Sequence, residues 1–533
     1  MENIMQKTQL LNPDSPFRYL VYLVLLFPVF IFRDYTPDNE LKYISIAGEA
    51  LKNHTWFTFY NHGEIYADKP PLFFWLIMAS RLLTGSYPMW LIGLFSLLPA
   101  IGILAVMDRW FRNSGINHNP AMSNLLLLTT AIFAGSALVV RMDMLMTLFI
   151  VLSLYTFFRI YKDEHMQMEK ILLPVYIFLA IFSKGPMGFL IPVVSITAFL
   201  LVKKEIPSFG RYLGWKQWAV LAGLCTVWFL LVYLEGGSKY LSNILFKQTV
   251  GRGVNSFHHK EPLWYYFPRM LWSFAPWILL YIALIWKGIH RKILNTDTQK
   301  FFAVIVVANT ILLSLVSSKL DIYLLPVYPF VVYLCSSLFP ANSNSRGIKA
   351  VIGATAAFFT LGLPVFLLAE KHIPYNLSGI IPYFGASLLS IGGAMALAML
   401  LRNRGESAVI YMGSSLLATL FVCAFALPRF NRSIGYREMA ETAKEKAEAE
   451  QIKRYAYYKF RTAPNMDVFI GRPLEHIESV NQLDSLDKLP QKTILFVRTR
   501  DTRREKEFGE WVSARQTEWA TDEYRWYILG NRN

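Results

Sequence analysis

The sequence predicts a mainly α-helical, polytopic membrane protein with a small α/β domain at its C-terminal end. Hydrophobic residues make up 54% of the 533 residues and charged residues only 17%, a composition too apolar for a soluble multidomain chain. Membrane-length apolar runs recur along the sequence until the composition changes abruptly after Pro428. They give about thirteen predicted spans, at 18–33, 88–108, 121–140, 144–161, 171–183, 186–202, 217–235, 270–287, 301–317, 321–339, 350–369, 378–401 and 407–427.

The first span is interpreted as an uncleaved anchor, because Arg33-Asp34-Tyr35 follows it and a small-residue cleavage site does not. The three cysteines lie within apolar runs, which argues against a disulfide framework or a cysteine metal site.

The stretch from Tyr66 to Trp75 places Asp68 and Lys69 directly before Pro70 and Pro71. Paired prolines set the entry into a helix, so the acid and the base should stand at a helix N-terminus, which favours anions. The apolar piece at 71–84 is too short to cross about 30 Å of hydrocarbon. It should therefore lie along one membrane face, within a first outside loop at 34–87.

Charge asymmetry predicts the orientation. With a cytoplasmic N-terminus the inside loops collect most of the Lys and Arg residues, whereas the short outside turns carry few. The net charge of +16 is then explained by cytoplasmic loops facing anionic membrane lipids, and a nucleic-acid partner is not expected. The predicted organisation is a membrane domain at 1–427, with a second outside loop at 236–268, and an extracytoplasmic domain at 428–533.

The C-terminal domain is predicted to alternate helices and strands. Helices are expected at 437–453 and 503–514, and strands at 454–460, 466–470, 492–497 and 524–529. This domain has no visible catalytic motif, so its role is left open between a cap, an acceptor-binding element and a purely structural one.

Polar residues at the ends of spans fall on the predicted outside face. Ionisable groups at membrane depth are costly and are usually functional, although any one of them alone can be a structural pair. Separate stretches of chain are therefore expected to build one extracytoplasmic site from Asp38, Glu40, Asp68, Lys69, Arg141, Asp143, Lys184, His258, His259, Lys319 and Asp321.

Six motifs occur in order along the chain: Glu40-x-Lys42-Tyr43, Asp68-Lys69-Pro70-Pro71-Leu72, Arg141-Met142-Asp143-Met144, Ser183-Lys184-Gly185-Pro186, His258-x-Lys260-Glu261-Pro262-Leu263-Trp264-Tyr265-Tyr266 and Ser318-Lys319-x-x-x-Tyr323-Leu324-Leu325-Pro326. Their order resembles the 4-amino-4-deoxy-L-arabinose transferase branch of the protein mannosyltransferase-related enzymes, which are membrane glycosyltransferases of the GT-C fold. The resemblance covers roughly residues 15 to 430. It implies an inverting transfer of a sugar from an undecaprenyl-phosphate donor to lipid A or another envelope acceptor.

The first loop departs from the family pattern, because Asn39 stands where an aspartate is usual. Either Asp38 or Glu40 is then the functional acid. A helix is expected from about Asp38, with Glu40 and Tyr43 on one face and Asp38 as a helix cap or base. Lys42 replaces a common arginine, which keeps the charge but loses bidentate geometry.

Transfer from a polyprenyl phosphate requires cations that stabilise the departing phosphate in a poorly hydrated pocket. Asp143 has two open roles. It would act as a base, like Asp38, for a hydroxyl acceptor, whereas for a phosphate acceptor it would position cations. The candidate phosphate-binding residues are Lys42, Tyr43, Lys69, Arg141, Lys184, Lys319 and Tyr323, and the candidate catalytic acids are Asp38, Glu40 and Asp143.

A divalent metal cation is a further expectation, with Asp68 and His258 as candidate ligands. No H-x-x-x-H or H-E-x-x-H spacing supports a metal site, and His259 is interpreted as an ordinary loop residue.

The sequence therefore favours a glycosyltransferase of the bacterial inner membrane, with a cytoplasmic N-terminus and a periplasmic C-terminus. The alternatives are a transporter or flippase of lipid-linked sugars and a protein O-mannosyltransferase. A transporter should place ionisable residues near mid-span, whereas here they cluster at one face. The identities of the sugar and the acceptor stay open.

Overall fold

The structure is a computed structural model that describes residues 16–163, 166–250, 261–372 and 379–530, with the side chains of 247–250 and 371 left out. The chain divides into two compact units. The first contains the described residues up to Val29, together with Ala67–Phe73 and Trp90–Ala424. The second contains Phe30–Tyr66, Phe74–Met89 and the described residues from Phe425 onward.

Long apolar helices make up almost all of the first unit. Up to residue 424 the chain forms the α-helices Phe17–Leu26, Pro28–Phe32, Glu40–Asn53, Leu72–Thr84, Met89–Asn113, Pro120–Leu128, Ala131–Ala137, Asp143–Lys162, Gln167–Lys184, Met187–Val202, Phe209–Tyr212, Trp215–Ser242, Tyr266–Ser273, Ile278–His290, Asp297–Leu315, Tyr328–Leu338, Arg346–Thr360, Gly362–Ala369, Ile380–Leu401 and Gly405–Ala424. Of these, Glu40–Asn53 and most of Leu72–Thr84 belong to the second unit. A π-helix follows at Asn243–Val250, and 3₁₀ turns lie at Ile206–Ser208, Asp321–Val327 and Glu370–His372.

Local sequence explains where several of these helices begin. Asn119 precedes Pro120, and its side chain accepts hydrogen bonds from the backbone N–H groups of Ala121 and Met122. Proline suits the first helical turn because it lacks an N–H that would otherwise need a partner. Thr296 and Gln299 form a capping box at the start of Asp297–Leu315.

The chain is a multi-pass membrane protein. Within the described residues, seven helices are long and apolar enough to cross a membrane, and up to ten cross if each of three bent pairs counts as one span. Shorter apolar helices lie at Phe17–Phe32, Leu72–Thr84 and Met187–Val202. All thirteen predicted apolar runs contain helix. The count of thirteen spans stays a prediction, since several of these helices are short or bent.

The second unit combines the first-loop helix Glu40–Asn53 and a small hairpin, β1 (Tyr60–Asn61) with β2 (Glu64–Ile65), with the C-terminal α/β region. The latter contains strands β3 (Arg454–Tyr458), β4 (Glu475–Ile477), β5 (Thr493–Arg498), β6 (Trp519–Ala520) and β7 (Tyr524–Leu529) in the order β4-β3-β5-β7-β6. Strand β3 runs parallel to β4 and β5, and β7 runs antiparallel to β5 and β6. Its helices are Pro428–Ile434, Arg437–Ala449, Asp467–Ile470, Val480–Asp487, Thr499–Arg504 and Lys506–Ser513, with a 3₁₀ turn at Ala463–Met466.

Both predicted helices and three of the four predicted strands of this region are confirmed. The strand predicted at 466–470 is wrong, because the chain forms a 3₁₀ turn and a short helix there. Gly471, at φ 77°, ends this helix. The sheet is stabilised by a buried apolar cluster on one face, which includes Tyr458, Leu495, Phe508, Trp511 and Tyr527.

Candidate active site

The Asp68-Lys69-Pro70 stretch lines a cavity of about 390 Å³ in the first unit. The helix that follows begins at Leu72, so Pro71 directly precedes it rather than occupying its first position. Both candidate residues of the stretch therefore stand at a helix entry, as predicted, and line a cavity with residues from distant parts of the chain.

The cavity is lined by apolar side chains and by charged or polar ones. Its apolar and aromatic lining includes Ile181, Phe189, Leu190, Trp228, Phe229 and Leu245, and its polar lining includes Asp68, Lys69, Lys184, Ser318 and Tyr323. An anionic head on a long apolar tail needs both kinds of surface.

Lys184 lies at the end of helix Gln167–Lys184 and forms an ion pair with Asp143, the first residue of helix Asp143–Lys162. The other carboxylate oxygen of Asp143 accepts from Nε of Arg141 at 3.0 Å. The backbone of Arg141 is held in turn by the hydroxyl of Ser96, which contacts its N–H at 3.2 Å and its carbonyl at 3.1 Å.

The exposed fractions of these side chains are 2% for Asp143, 8% for Lys184 and 28% for Arg141. Asp143 is thus one carboxylate in contact with two cations. Because both oxygens of Asp143 bind cations, this geometry favours the positioning role over the base role. The structure brings together Asp143 and two of the predicted phosphate-binding residues.

Lys319 and Tyr323 both follow helix Asp297–Leu315. The ammonium of Lys184 lies 5.1 Å from the centroid of the Tyr323 ring, within cation–π distance. Lys319 is 2% exposed, and its ammonium donates to the backbone carbonyl of Glu261 at 2.8 Å. Tyr323 therefore belongs to the cavity, whereas Lys319 has a structural partner beside it.

The first-loop acids lie in the second unit and differ in burial. Glu40 is fully buried, and its carboxylate accepts two hydrogen bonds from Arg33, at 2.6 and 2.7 Å. It also accepts from the backbone N–H of Thr36 at 2.7 Å and from the Thr36 hydroxyl at 2.9 Å. Asp38 is exposed. Helix Glu40–Asn53 has Asn39 at its N-cap position, so the prediction that Asp38 caps it is wrong.

Lys42 and Tyr43 point to different surroundings within the second unit. The ammonium of Lys42 lies 4.5 Å from the centroid of the Tyr66 ring, and Tyr43 is buried edge-on against Phe74 at 5.9 Å.

Sequence reasoning missed Asp34 and Arg33. Asp34 is buried and accepts from the backbone N–H of Tyr35 at 2.7 Å and from that of Arg437 at 3.1 Å. Burial raises the pKa of the Asp34 carboxyl, and the nearby Arg437 opposes that rise. No spacing signal pointed to these contacts, since Asp34 and Arg437 are about 400 residues apart along the chain.

The metal site predicted at Asp68 and His258 stays a prediction, because only Asp68 lies among the described residues. No group of three or more His, Cys, Asp or Glu side chains suited to a metal occurs among the described residues, and Asp68 belongs to no such group. His258 and His259 lie outside the described residues.

Residues 19–246 match the family of dolichyl-phosphate-mannose-protein mannosyltransferases. An uncharacterized protein of Aquifex aeolicus is 26% identical over 359 residues, which are 65% of this chain and 69% of that protein. The undecaprenyl phosphate-alpha-4-amino-4-deoxy-L-arabinose arabinosyl transferase of Aeromonas salmonicida is 23% identical over 354 residues, which are 64% of each chain. The alignment thus spans slightly less than two thirds of that transferase.

The crystal structure of ArnT from Cupriavidus metallidurans bound to undecaprenyl phosphate matches with a TM-score of 0.77 at 16% identity, over 96% of this chain and 97% of that one. The chain has the GT-C fold of the aminoarabinose transferases. The resemblance found from the motifs is confirmed. The match also covers the C-terminal α/β region, beyond residues 15 to 430 that the motif resemblance covers.

Proposed function

We propose that this chain is an integral-membrane glycosyltransferase that takes a sugar from an undecaprenyl-phosphate-linked donor. The main support for this proposal is the cavity of about 390 Å³, which combines Lys69 and Lys184 with walls of apolar and aromatic side chains. The names of the relatives and the undecaprenyl phosphate bound to the ArnT fold support the same class of donor.

The proposed chemistry begins with the donor phosphate bound beside Lys69 and Lys184. As the bond between the sugar and the phosphate oxygen breaks, negative charge grows on that oxygen, and preorganised ammonium groups in a poorly hydrated cavity stabilise it. Arg141 and Asp143 hold Lys184 in place. The acceptor attacks the anomeric carbon from the opposite side, which inverts its configuration.

We further propose that the acceptor attacks through an anionic oxygen such as a lipid A phosphate. Such a nucleophile needs no general base, and Asp143 already binds cations through both of its oxygens. Another envelope acceptor with a free hydroxyl would need a base, and the exposed carboxylate of Asp38 is then the candidate. The proposed location is the bacterial inner membrane, with the site and the C-terminus on the periplasmic side and the N-terminus in the cytoplasm.

The test compares two lysine variants of the purified full-length chain with a synthetic undecaprenyl-phosphate sugar donor. Lys69→Ala should lose roughly thirtyfold to a thousandfold in transfer rate, the cost of about 2 to 4 kcal/mol of transition-state stabilisation. The matched control is Lys52→Ala, which removes an exposed lysine of helix Glu40–Asn53. Equal rates in the two folded variants would remove Lys69 from the site.

A second candidate is a protein O-mannosyltransferase, which the match of residues 19–246 to the mannosyltransferase family favours. The acceptor separates the two candidates. Mass spectrometry of lipid A and of envelope glycoproteins, from cells with and without the gene, should show a changed lipid A mass. A change confined to glycoproteins would favour the second candidate.

A further inference from the structure

Two Ser-Lys pairs, Ser183-Lys184 and Ser318-Lys319, contribute to the cavity of about 390 Å³ in opposite ways. In the first pair the lysine lines the cavity. Ser183 is fully buried, and its hydroxyl donates to the carbonyl of Leu179 at 2.7 Å. In the second pair the serine lines the cavity and the lysine does not. The second pair therefore offers the cavity a hydroxyl group rather than an ammonium group.

The backbone explains why Ser318, and not Lys319, lines the cavity. Val316 and Ser318 belong to its described lining, and the residues that follow each of them, Ser317 and Lys319, do not. A period of two is that of extended chain, in which successive side chains point to opposite sides. The two ends of this segment are extended, with ψ 136° at Val316 and with φ −139° and ψ 146° at Leu320. The alternation therefore directs the Ser318 side chain to the cavity and the Lys319 side chain away from it.

Lys319 and its neighbours hold this segment in place. Lys319 is 2% exposed, and its ammonium donates to the backbone carbonyl of Glu261 at 2.8 Å. The backbone N–H of Glu261 donates in return to the carbonyl of Ser317 at 3.4 Å. These two contacts tie the segment at 316–320 to the chain at Glu261. The position of Ser318 is thus fixed by its neighbours and does not depend on its own hydroxyl.

The hydroxyl of Ser318 is buried without a hydrogen-bond partner in the described parts of the chain. Ser318 is only 9% exposed, and the surface that it keeps lies in the lining of the cavity. A buried hydroxyl that makes no hydrogen bond costs free energy, since it has lost its contacts with water. A ligand oxygen in the cavity that accepts from this hydroxyl would remove that cost.

We propose that the Ser318 hydroxyl donates a hydrogen bond to a non-bridging oxygen of the donor phosphate, in the cavity that Lys69 and Lys184 also line. This inference rests on the proposed transferase function, since it concerns the same cavity. A neutral hydroxyl adds a hydrogen bond to the phosphate without adding a cation that would repel the two lysines. The bond strengthens as negative charge grows on the departing phosphate. Ser318 is then a phosphate-binding residue, and Lys319 is the residue that positions it.

The test titrates the purified full-length chain, in a neutral detergent, with undecaprenyl phosphate and measures the dissociation constant. Ser318→Ala should bind about tenfold more weakly than the parent chain, the loss expected for one hydrogen bond to a charged oxygen. Ser318→Thr keeps the hydroxyl and should stay within about threefold of the parent. The matched control is Ser153→Ala, which removes a fully buried hydroxyl that donates to the carbonyl of Ile150 at 2.8 Å and does not line the cavity. This control should bind as the parent does, and thermal unfolding verifies that each variant is folded.

Undecaprenol, which carries no phosphate, separates a contact with the phosphate from an effect on the shape of the cavity. Its affinity should be the same for Ser318→Ala and for the parent chain. An equal loss of affinity for both ligands would overturn the inference, and so would a Ser318→Ala variant that binds undecaprenyl phosphate as tightly as the parent. A parent chain that does not bind undecaprenyl phosphate would instead overturn the proposed donor, and the inference with it. The failure of Ser318 alone is therefore distinguishable from the failure of the proposed function.

Discussion

Replacing Asp143 by asparagine tests the buried charge cluster directly. The amide keeps the shape of the side chain but carries no charge, so Lys184, only 8% exposed, loses its counter-ion. Removing one partner of a buried ion pair costs about 3 to 5 kcal/mol, because the remaining charge stays desolvated. For a large helical bundle, at roughly 2 °C per kcal/mol, Asp143→Asn should lower the Tm by roughly 6 to 10 °C.

A second variant separates stability from function. In Asp143→Asn/Lys184→Met the buried cation is removed as well, and a methionine fills the space of the lysine stem. Replacement of a buried pair by apolar groups is often neutral, so the Tm should return to within about 3 °C of the parent value. Transfer activity should not return, because the cation proposed to stabilise the leaving phosphate is gone.

The measurements are thermal unfolding in detergent and sugar transfer from the polyprenyl-phosphate donor. Glu169→Gln is the control, since it breaks a more exposed pair with Arg159 at 2.7 Å and should cost at most about 1 kcal/mol. If Asp143→Asn has the Tm of the parent chain, the buried pair does not stabilise this end of the helix. If the double variant recovers activity, Lys184 takes no part in the reaction.

Three further predictions concern the second unit and the topology. Gly435→Ala should lower the free energy of unfolding by about 1 to 3 kcal/mol, because a Cβ there would overlap Oδ2 of Asp34. Gly223→Ala is the control, since the space around Gly223 is open and the substitution should not destabilise the chain. Thermal unfolding compares the two variants. Burial raises the pKa of Asp467 in the folded state above its ordinary value of 3.8. The folded state therefore binds this proton more tightly than the unfolded state, and the free energy of unfolding falls as the pH rises from about 3.8 through the raised pKa. Asp467→Asn should therefore raise the Tm at neutral pH and lose the advantage below about pH 3.8, and a higher Tm for the parent at neutral pH would refute this. A phosphatase fused after Asn533 should be active and a fluorescent protein at the same place dark, because the predicted odd number of spans, starting from the predicted cytoplasmic N-terminus, ends outside. The opposite pair of results would mean that one span is miscounted.

The sequence predicted the elements whose pattern is local. The apolar piece at 71–84 is the helix Leu72–Thr84, and the strands predicted at 454–460 and 524–529 are present within a few residues. Their signals are apolar periodicity and flanking turn residues, which depend little on the rest of the fold. The strand predicted at 466–470 failed because its run of Met, Val, Phe and Ile also suits a buried short helix, and such runs are ambiguous by periodicity alone.

Strand β4 was missed for the opposite reason. Glu475-His476-Ile477 has almost no apolar signal, and two of its three residues are exposed. It is a strand because Tyr457 and its neighbours in β3 offer a parallel partner, with Tyr457 opposite His476. Such an edge strand is defined by tertiary pairing, which a single sequence does not display.

The candidate site was predictable as a set of residues but not as a set of partners. The motifs identified Asp143, Lys184 and Tyr323, which lie together, because ionisable residues at span ends stand out against an apolar background. The bidentate contact of Glu40 with Arg33 could not be predicted. The contact depends on a turn of the chain between Arg33 and Glu40, which are seven residues apart. The sequence assigns the stretch between them to an outside loop but does not indicate how that loop turns.

If the proposed phosphate site is correct, Asp143 resolves an electrostatic problem that any phosphate site at membrane depth shares. Two cations close together in a poorly hydrated cavity repel each other and lose hydration, so they need a counter-charge before a phosphate binds. A carboxylate fixed at the first turn of a helix supplies that charge and is itself favoured by the helix N-terminus. Asp143 alone can neutralise only one of the two cations that it contacts, so it does not by itself cancel the charge proposed to attract the donor phosphate. The cluster can thus be buried and stable and still attract an anion.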